Sequence, residues 1–165
     1  MGGINVADKI NAILQNENYK IYLAKNQEKE KTREFCHHDL QHFLDVARIA
    51  YIINLEKSIN IHKDIIYATA LLHDIGRWMQ YEKGIPHDEA SAELAADILK
   101  ACGFNENEIK EIIAAILMHR NVSADEKSLS YLIYRSDKLS RGCFNCKAIL
   151  ECNWSEEKKN HNIKY

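Results

Sequence analysis

The hydrophobic positions along the chain recur with the spacing of helices and almost nowhere with that of strands. Between Asp39 and Glu56, Leu40, Phe43, Leu44, Ala47, Ala50 and Tyr51 keep the helical period, which predicts a helix with one apolar face. The stretch "HKDIIYATALLHD", His62 to Asp74, is apolar on most sides, as expected of a helix at the centre of a bundle. An earlier helical stretch runs from about Val6 to Lys31, with a break expected near "QNENY", and its charged end "NQEKEKTRE" reads as a solvated surface. After an irregular "QYEKGIP", Pro86 suits the opening of a helix from His87 to about Cys102, with Gly103 as its stop. Asn105, with Glu108 three residues on, has the form of a capping box for a helix reaching about His119, and a last helix is predicted near Lys127 to Leu139.

Composition agrees with an all-α class. There is one proline and there are six glycines, and β-branched runs bounded by turn signals are absent. With 165 residues, 46% of them hydrophobic, the chain can bury one ordinary core but not two. The expected organisation is an N-terminal helical region at 1–34 packed on a core at 35–141, followed by an irregular cysteine-containing tail at 142–165. A net charge of −2 without a basic stripe argues against a nucleic-acid partner. No apolar run approaches the roughly 20 residues that cross a bilayer, so no membrane partner is expected. The start "MGGINVADKI" carries charge where a secretory signal needs apolar residues, and Gly3 to Val6 lack the Ser or Thr of a myristoylation signal. A cytoplasmic protein is expected, while oligomeric state has no readable signal. The five cysteines are odd in number and point to reduced thiols or metal ligands, not a disulfide framework.

The polar residues placed against this apolar pattern carry the chemistry. His42 lies among Phe43, Val46, Ala47 and Ala50 and is either a satisfied core histidine or a ligand. His73 and Asp74 close the most apolar helix, where an unpaired carboxylate carries a large desolvation cost that a cation would remove. His87 opens a helix, His119 ends one and Asp137 stands near the end of another. Each alone is explicable as a cap or surface group. Together, five helices each deliver an imidazole or a carboxylate, which is how bundles assemble metal centres.

"HFLDVARIA", "ALLHDIGRW", "HDEASAELAADIL", "AILMHRN" and "RSDKLSR" resemble, in order and spacing, the motifs of the HD superfamily of metal-dependent phosphohydrolases. The resemblance covers about Phe35 to Arg141 and implies a helical bundle of about six or seven helices. It implies a metal held by His42, His73, Asp74 and Asp137. His87 and His119 match a subset with two additional ligands, which implies two divalent ions with Asp74 between them. Iron is the commonest metal of that subset, and imidazole and carboxylate ligands equally suit Mn, Co or Zn.

Such a pair of ions, roughly 3.5 to 4 Å apart, activates water as hydroxide and neutralises phosphoryl oxygens. The expected activity is therefore hydrolysis of a phosphate ester or phosphoanhydride in a nucleotide or other small phosphorylated substrate, and within the subset that the chain resembles, hydrolases of diadenosine polyphosphates are the nearest comparison. Asp74, Arg77 and Lys138 are the candidate catalytic residues. Arg77, one turn beyond His73, can grip phosphate, and Lys138 and Arg141 flank Asp137 as further donors. His38, four residues before His42, is either a surface or cap residue or a group that touches substrate. The same six ligands also occur in mixed-valent di-iron oxygenases of this fold, and a non-catalytic metal- or nucleotide-binding module would keep them too. In the tail, "CFNCKAILEC" offers Cys143, Cys146 and Cys152, with Cys36 and His161 as possible partners, either as a zinc site or as partly buried reduced thiols.

Overall fold

The computed structural model describes residues 6–165, and side chains from Lys9 onward; the signal and myristoylation readings of residues 1–5 lie outside it. Among the described residues the chain is all-α. Its helices are α1 (Val6–Gln15), α2 (Glu17–Lys29), α3 (Leu40–Glu56), α4 (Lys63–Leu72), α5 (Arg77–Lys83), α6 (His87–Ala101), α7 (Glu106–Met118) and α8 (Leu129–Leu139), with a 3-10 turn at Cys143–Asn145.

Local chemistry sets most of the boundaries. The break at "QNENY" is real: Asn16 leaves the helical conformation and its side chain accepts from the Tyr19 N–H, capping α2. Asp39 caps α3 in the same way through the His42 N–H, and Ser128 caps α8 through that of Tyr131. Asn105 and Glu108 form a complete capping box at α7. Gly103, at φ 81°, ends α6 with the Phe104 N–H bonded to the Leu99 carbonyl at 3.1 Å and its own N–H to that of Lys100 at 3.3 Å.

Helix α4 packs against α1, α3, α6, α7 and α8, and nearly all its residues are buried. Its sequence is apolar all round because it has neighbours all round. One contiguous core, including Phe43, Ile66, Leu71, Leu72, Ile75, Ile98, Ile116 and Leu132, surrounds it and extends to Ile13 and Tyr19 of the N-terminal helices.

Two stretches depart from the sequence expectations. "QYEKGIP" is irregular only at its end, since α5 runs through Lys83 and closes on Gly84 at φ 70°. The Trp78 and Met79 side chains of α5 pack with Ala90 in a small separate cluster. The run "NQEKEKTRE" is not uniformly solvated: Asn26 and Glu30 are buried, at 0% and 2% exposure, on the face that α2 turns toward α5. Among the described residues no helix is long and apolar enough to cross a membrane.

Candidate metal centre

Every one of the six acidic and imidazole residues stands at or near a helix end. His42 is in the first turn of α3, His73 and Asp74 follow α4, His87 opens α6, His119 caps α7 and Asp137 lies in the last turn of α8. The structure brings them into two triads, His42 with His73 and Asp137, and Asp74 with His87 and His119, each with ligand atoms within 4.8 Å of one another. All six residues are buried.

Asp74 joins the triads. Its Oδ2 lies 3.4 Å from His73 Nε2, while its Oδ1 lies 3.3 Å from His87 Nε2 and 3.5 Å from His119 Nε2. On the other side Asp137 Oδ1 approaches His42 Nε2 at 3.2 Å and His73 Nε2 at 4.0 Å. The turn carrying the His-Asp pair is itself clamped. Asn26 donates from Nδ2 to the Asp74 carbonyl at 2.9 Å and accepts from the Trp78 N–H at 2.8 Å. Gly76 packs so closely on α6 that a Cβ there would stand 2.5 Å from the Ser91 nitrogen, and its N–H donates to Ser91 Oγ at 2.9 Å.

The four imidazoles share one orientation. His73 Nδ1 meets the Ala70 carbonyl at 2.7 Å, His119 Nδ1 that of Ile116 at 2.6 Å, His87 Nδ1 meets Gln80 Oε1 at 2.6 Å, and His42 Nδ1 meets Ser140 Oγ at 3.2 Å. With Nδ1 so engaged, each ring presents Nε2 to the centre, the usual outer arrangement of metal-bound histidine.

Electrostatics favour a cation in the same place. Burial holds the His73 and His87 imidazoles down to about 3 and about 4, so both are neutral lone-pair donors at neutral pH. Burial works against ionisation of Asp74 and Asp137, yet neighbouring imidazoles, with Arg141 and Lys138 beside Asp137, keep both carboxyls well below their usual range. Burial likewise opposes the charged form of His119, and the Asp74 carboxylate outweighs it and raises that imidazole. His73 Nε2 and Asp74 Oδ1 are buried without a hydrogen-bond partner. Orphaned buried acceptors are costly, and divalent metal ions would satisfy both. The donor set thus fits two such ions.

The other expected residues surround this centre in different ways. Arg77 places NH1 3.9 Å from Asp74 Oδ1 and Nε 3.5 Å from Glu30 Oε1, with its side chain 18% exposed at the cavity. Lys138 is half exposed, with Nζ 2.7 Å from Asp137 Oδ2. Arg141 is buried inside the cluster: its NH2 lies 3.1 Å from Asp137 Oδ1 and 3.2 Å from both His38 Nε2 and His42 Nε2. His38 precedes α3 and so shares no helical face with His42, but it reaches the centre all the same. Its Nδ1 is held at 2.6 Å by Glu30 Oε1, and its Nε2 stands 3.6 Å from Asp74 Oδ2.

Sequence reading passed over Asn26, Glu30, Gln80, Tyr81 and Ser140. Glu30 also accepts from the Tyr81 hydroxyl at 2.8 Å, and despite burial its contacts with His38 hold it down to about 2. The helical spacing of Tyr19, Leu23, Asn26 and Glu30 was the available signal for two of these, since it puts polar residues in an apolar stripe. Gln80 and Ser140 had none.

Residues 39–142, the span holding all six of these residues, match the HD domain family. The chain belongs to that family. This HD domain is 51% identical over 158 residues to an uncharacterized protein of Clostridium beijerinckii, covering 96% of this chain and 99% of that one. It is 33% identical over 106 residues to ribonuclease Y of Nitratidesulfovibrio vulgaris, where it spans 64% of this chain and only 18% of the relative. The fold is similar to the crystal structure of a predicted HD superfamily hydrolase from an uncultured Thermotogales bacterium, with a TM-score of 0.61 and 24% identity across 85% of this chain and 80% of that one.

Proposed function

We propose that this HD domain is a metal-dependent phosphohydrolase that cleaves a phosphate ester or phosphoanhydride in a nucleotide or other small phosphorylated substrate. The observation that carries the reading is Asp74, whose two oxygens face separate ligand triads at the floor of a cavity of about 640 Å³. Divalent ions bound there would supply activation of water at neutral pH and neutralisation of phosphoryl charge.

The rest of the chemistry belongs to the chain. Arg33, Arg77, Arg120, Lys138, Arg141 and Lys159 line the cavity against the carboxylates Glu34, Asp39, Asp45, Asp74 and Asp137, so that divalent ions bound at the centre would tip its charge in favour of a phosphorylated substrate. Arg77, beside Glu30 and Asp74, is the group best placed to grip a phosphoryl oxygen, and Lys138, beside Asp137, also lines the cavity. Glu30 fixes the ring of His38 so that Nε2 faces the cavity, where it can hydrogen-bond substrate. Arg141, tied to His38, His42 and Asp137, orients these groups from within. Trp154 and Phe35 also line the cavity and offer apolar surface to a base or sugar.

The likeness to ribonuclease Y favours a second reading, cleavage of RNA phosphodiesters. The net charge of −2 makes a small substrate the better fit. A panel of nucleotides, dinucleoside polyphosphates, phosphomonoesters and short RNA, assayed with Fe, Mn, Co and Zn while oxygen uptake is recorded, separates the possibilities. Release of phosphate or a nucleotide without oxygen consumption is expected. Oxygen-dependent cleavage, or tight binding without turnover of anything in the panel, would overturn the assignment.

A further inference from the structure

The metal centre leaves the cysteines unexplained. Cys102 is set apart at the end of α6, buried in the main core. The other four converge: Cys36, just before α3, lines one cavity together with Cys143, Cys146 and Cys152 of the tail. All four are free thiols. Burial pushes the Cys36 thiol up, and Cys143, Cys146 and Cys152 push it further in the same direction, while Arg141 opposes them.

The tail also lacks the means to fold by apolar burial. From Gly142 to Tyr165 it has one 3-10 turn, and only Cys143, Ala148 and Asn160 are buried, while Phe144, Leu150 and Ile163 are exposed. Asn160 pins it to the end of α8, donating to the carbonyls of Lys138 at 2.7 Å and Arg141 at 2.9 Å. Segments with so little core are commonly held by a structural metal. We propose that Cys36, Cys143, Cys146 and Cys152 form a structural site for one tetrahedral Zn²⁺, separate from the HD centre, that staples the tail to the wall of the cavity.

The chemistry is consistent at each step. Cys143 and Cys146 have the CxxC spacing, and the 3-10 turn between them closes with the Cys146 N–H bonded to the Cys143 carbonyl at 3.1 Å. Four thiolates and one Zn²⁺ leave a net charge of −2, and the cations Arg141 and Lys159 line the same cavity. His161 is engaged with Glu156 at 3.1 Å and is not needed as a ligand. No three of the sulfurs lie within 4.8 Å of one another, so the ion must draw them in. Rotation about χ1 between staggered rotamers, about 3 Å of movement at a cysteine sulfur, is the freedom through which the ion would gather them. The site would fix two segments that reach the HD centre, since His38 follows Cys36 and Arg141 precedes Cys143 by two residues.

Cobalt titration of the metal-free, reduced full-length protein tests this directly. Imidazole and carboxylate ligands give no thiolate-to-cobalt charge transfer, so that absorption reports the cysteines alone and is independent of any phosphohydrolase activity. We expect one equivalent of Co²⁺ to give the thiolate band, Zn²⁺ to displace it, and bound Zn²⁺ to shield the four thiols from a thiol reagent. The band should persist in His87→Ala and vanish in Cys143→Ser/Cys146→Ser. Absence of a thiolate band at every loading of the wild-type protein, an iron–sulfur chromophore, or a Cys143–Cys146 disulfide that persists in reductant would each overturn the proposal.

Discussion

The two sets of candidate metal-ligating side chains are built on opposite principles. In the HD centre each ligand sits at a helix end, and each imidazole has its Nδ1 engaged, by Ala70, Ile116, Gln80 or Ser140, so that Nε2 is aimed in advance. The cysteines sit on irregular backbone outside the main core, and no three of their sulfurs approach within 4.8 Å. In the first case the fold makes the site before any ion arrives. In the second the proposed zinc would complete the fold. A chelator should accordingly leave the helical circular dichroism of the protein nearly unchanged while raising proteolysis and hydrogen exchange across residues 142–165. Equal loosening of α3, α4 and the tail would erase the distinction.

The largest single effect should come from Asp74, the residue both triads share. Asp74→Asn should reduce phosphohydrolase turnover by about 10³-fold, at least the cost of losing one transition-state donor, with helicity retained. Next comes the clamp beneath it. Asn26→Ala leaves the Trp78 N–H without a partner and the Asp74 carbonyl with only the Arg77 N–H, at 3.1 Å; the orphaned donor costs about 1–3 kcal/mol, and the midpoint of chemical denaturation should fall accordingly. Gln80→Leu tests aiming of one triad alone: by releasing His87 Nδ1 it should weaken metal binding at His87 and His119 by about 10- to 100-fold and leave the His42 triad unaffected, as read by competitive metal titration. Equal weakening of both would show that Gln80 supports the fold and not the ring.

A further effect concerns protons. His73 and His87 have folded-state values of about 3 and about 4, below the ordinary 6.5, so between these limits the unfolded chain binds the extra protons. Their contribution to stability is complete above 6.5 and is lost as pH falls toward 4 and then 3. The metal-free protein should therefore melt at progressively lower temperature across that window, and a flat melting profile would show the two rings are not buried neutral.

Periodicity and capping residues made most of the fold legible, because α3, α4, α6, α7 and α8 each carry a long apolar stripe closed by local signals such as Asn105 with Glu108 or Gly103. Helix α5 was hidden because it spans only Arg77–Lys83, and its apolar residues pack into a small cluster of their own. The ligand positions were visible as polar groups where the pattern demanded apolar ones. Their supports were not, since the pairings of Asn26 with Asp74 and Ser140 with His42 exist only after segments distant in sequence have packed together, and that of Glu30 with His38 depends on the turn that joins α2 to α3. Arg141 shows the same limit, because adjacency to Asp137 could not tell a rim donor from a group buried among the ligands.

The most direct test is a crystal structure of the protein purified with its native metals, with anomalous scattering recorded at the edges of Fe and Zn. Two peaks about 3.5 to 4 Å apart, one on each side of the Asp74 carboxylate, are predicted at the HD centre. A single peak there, or two ions that Asp74 does not bridge, would contradict the account.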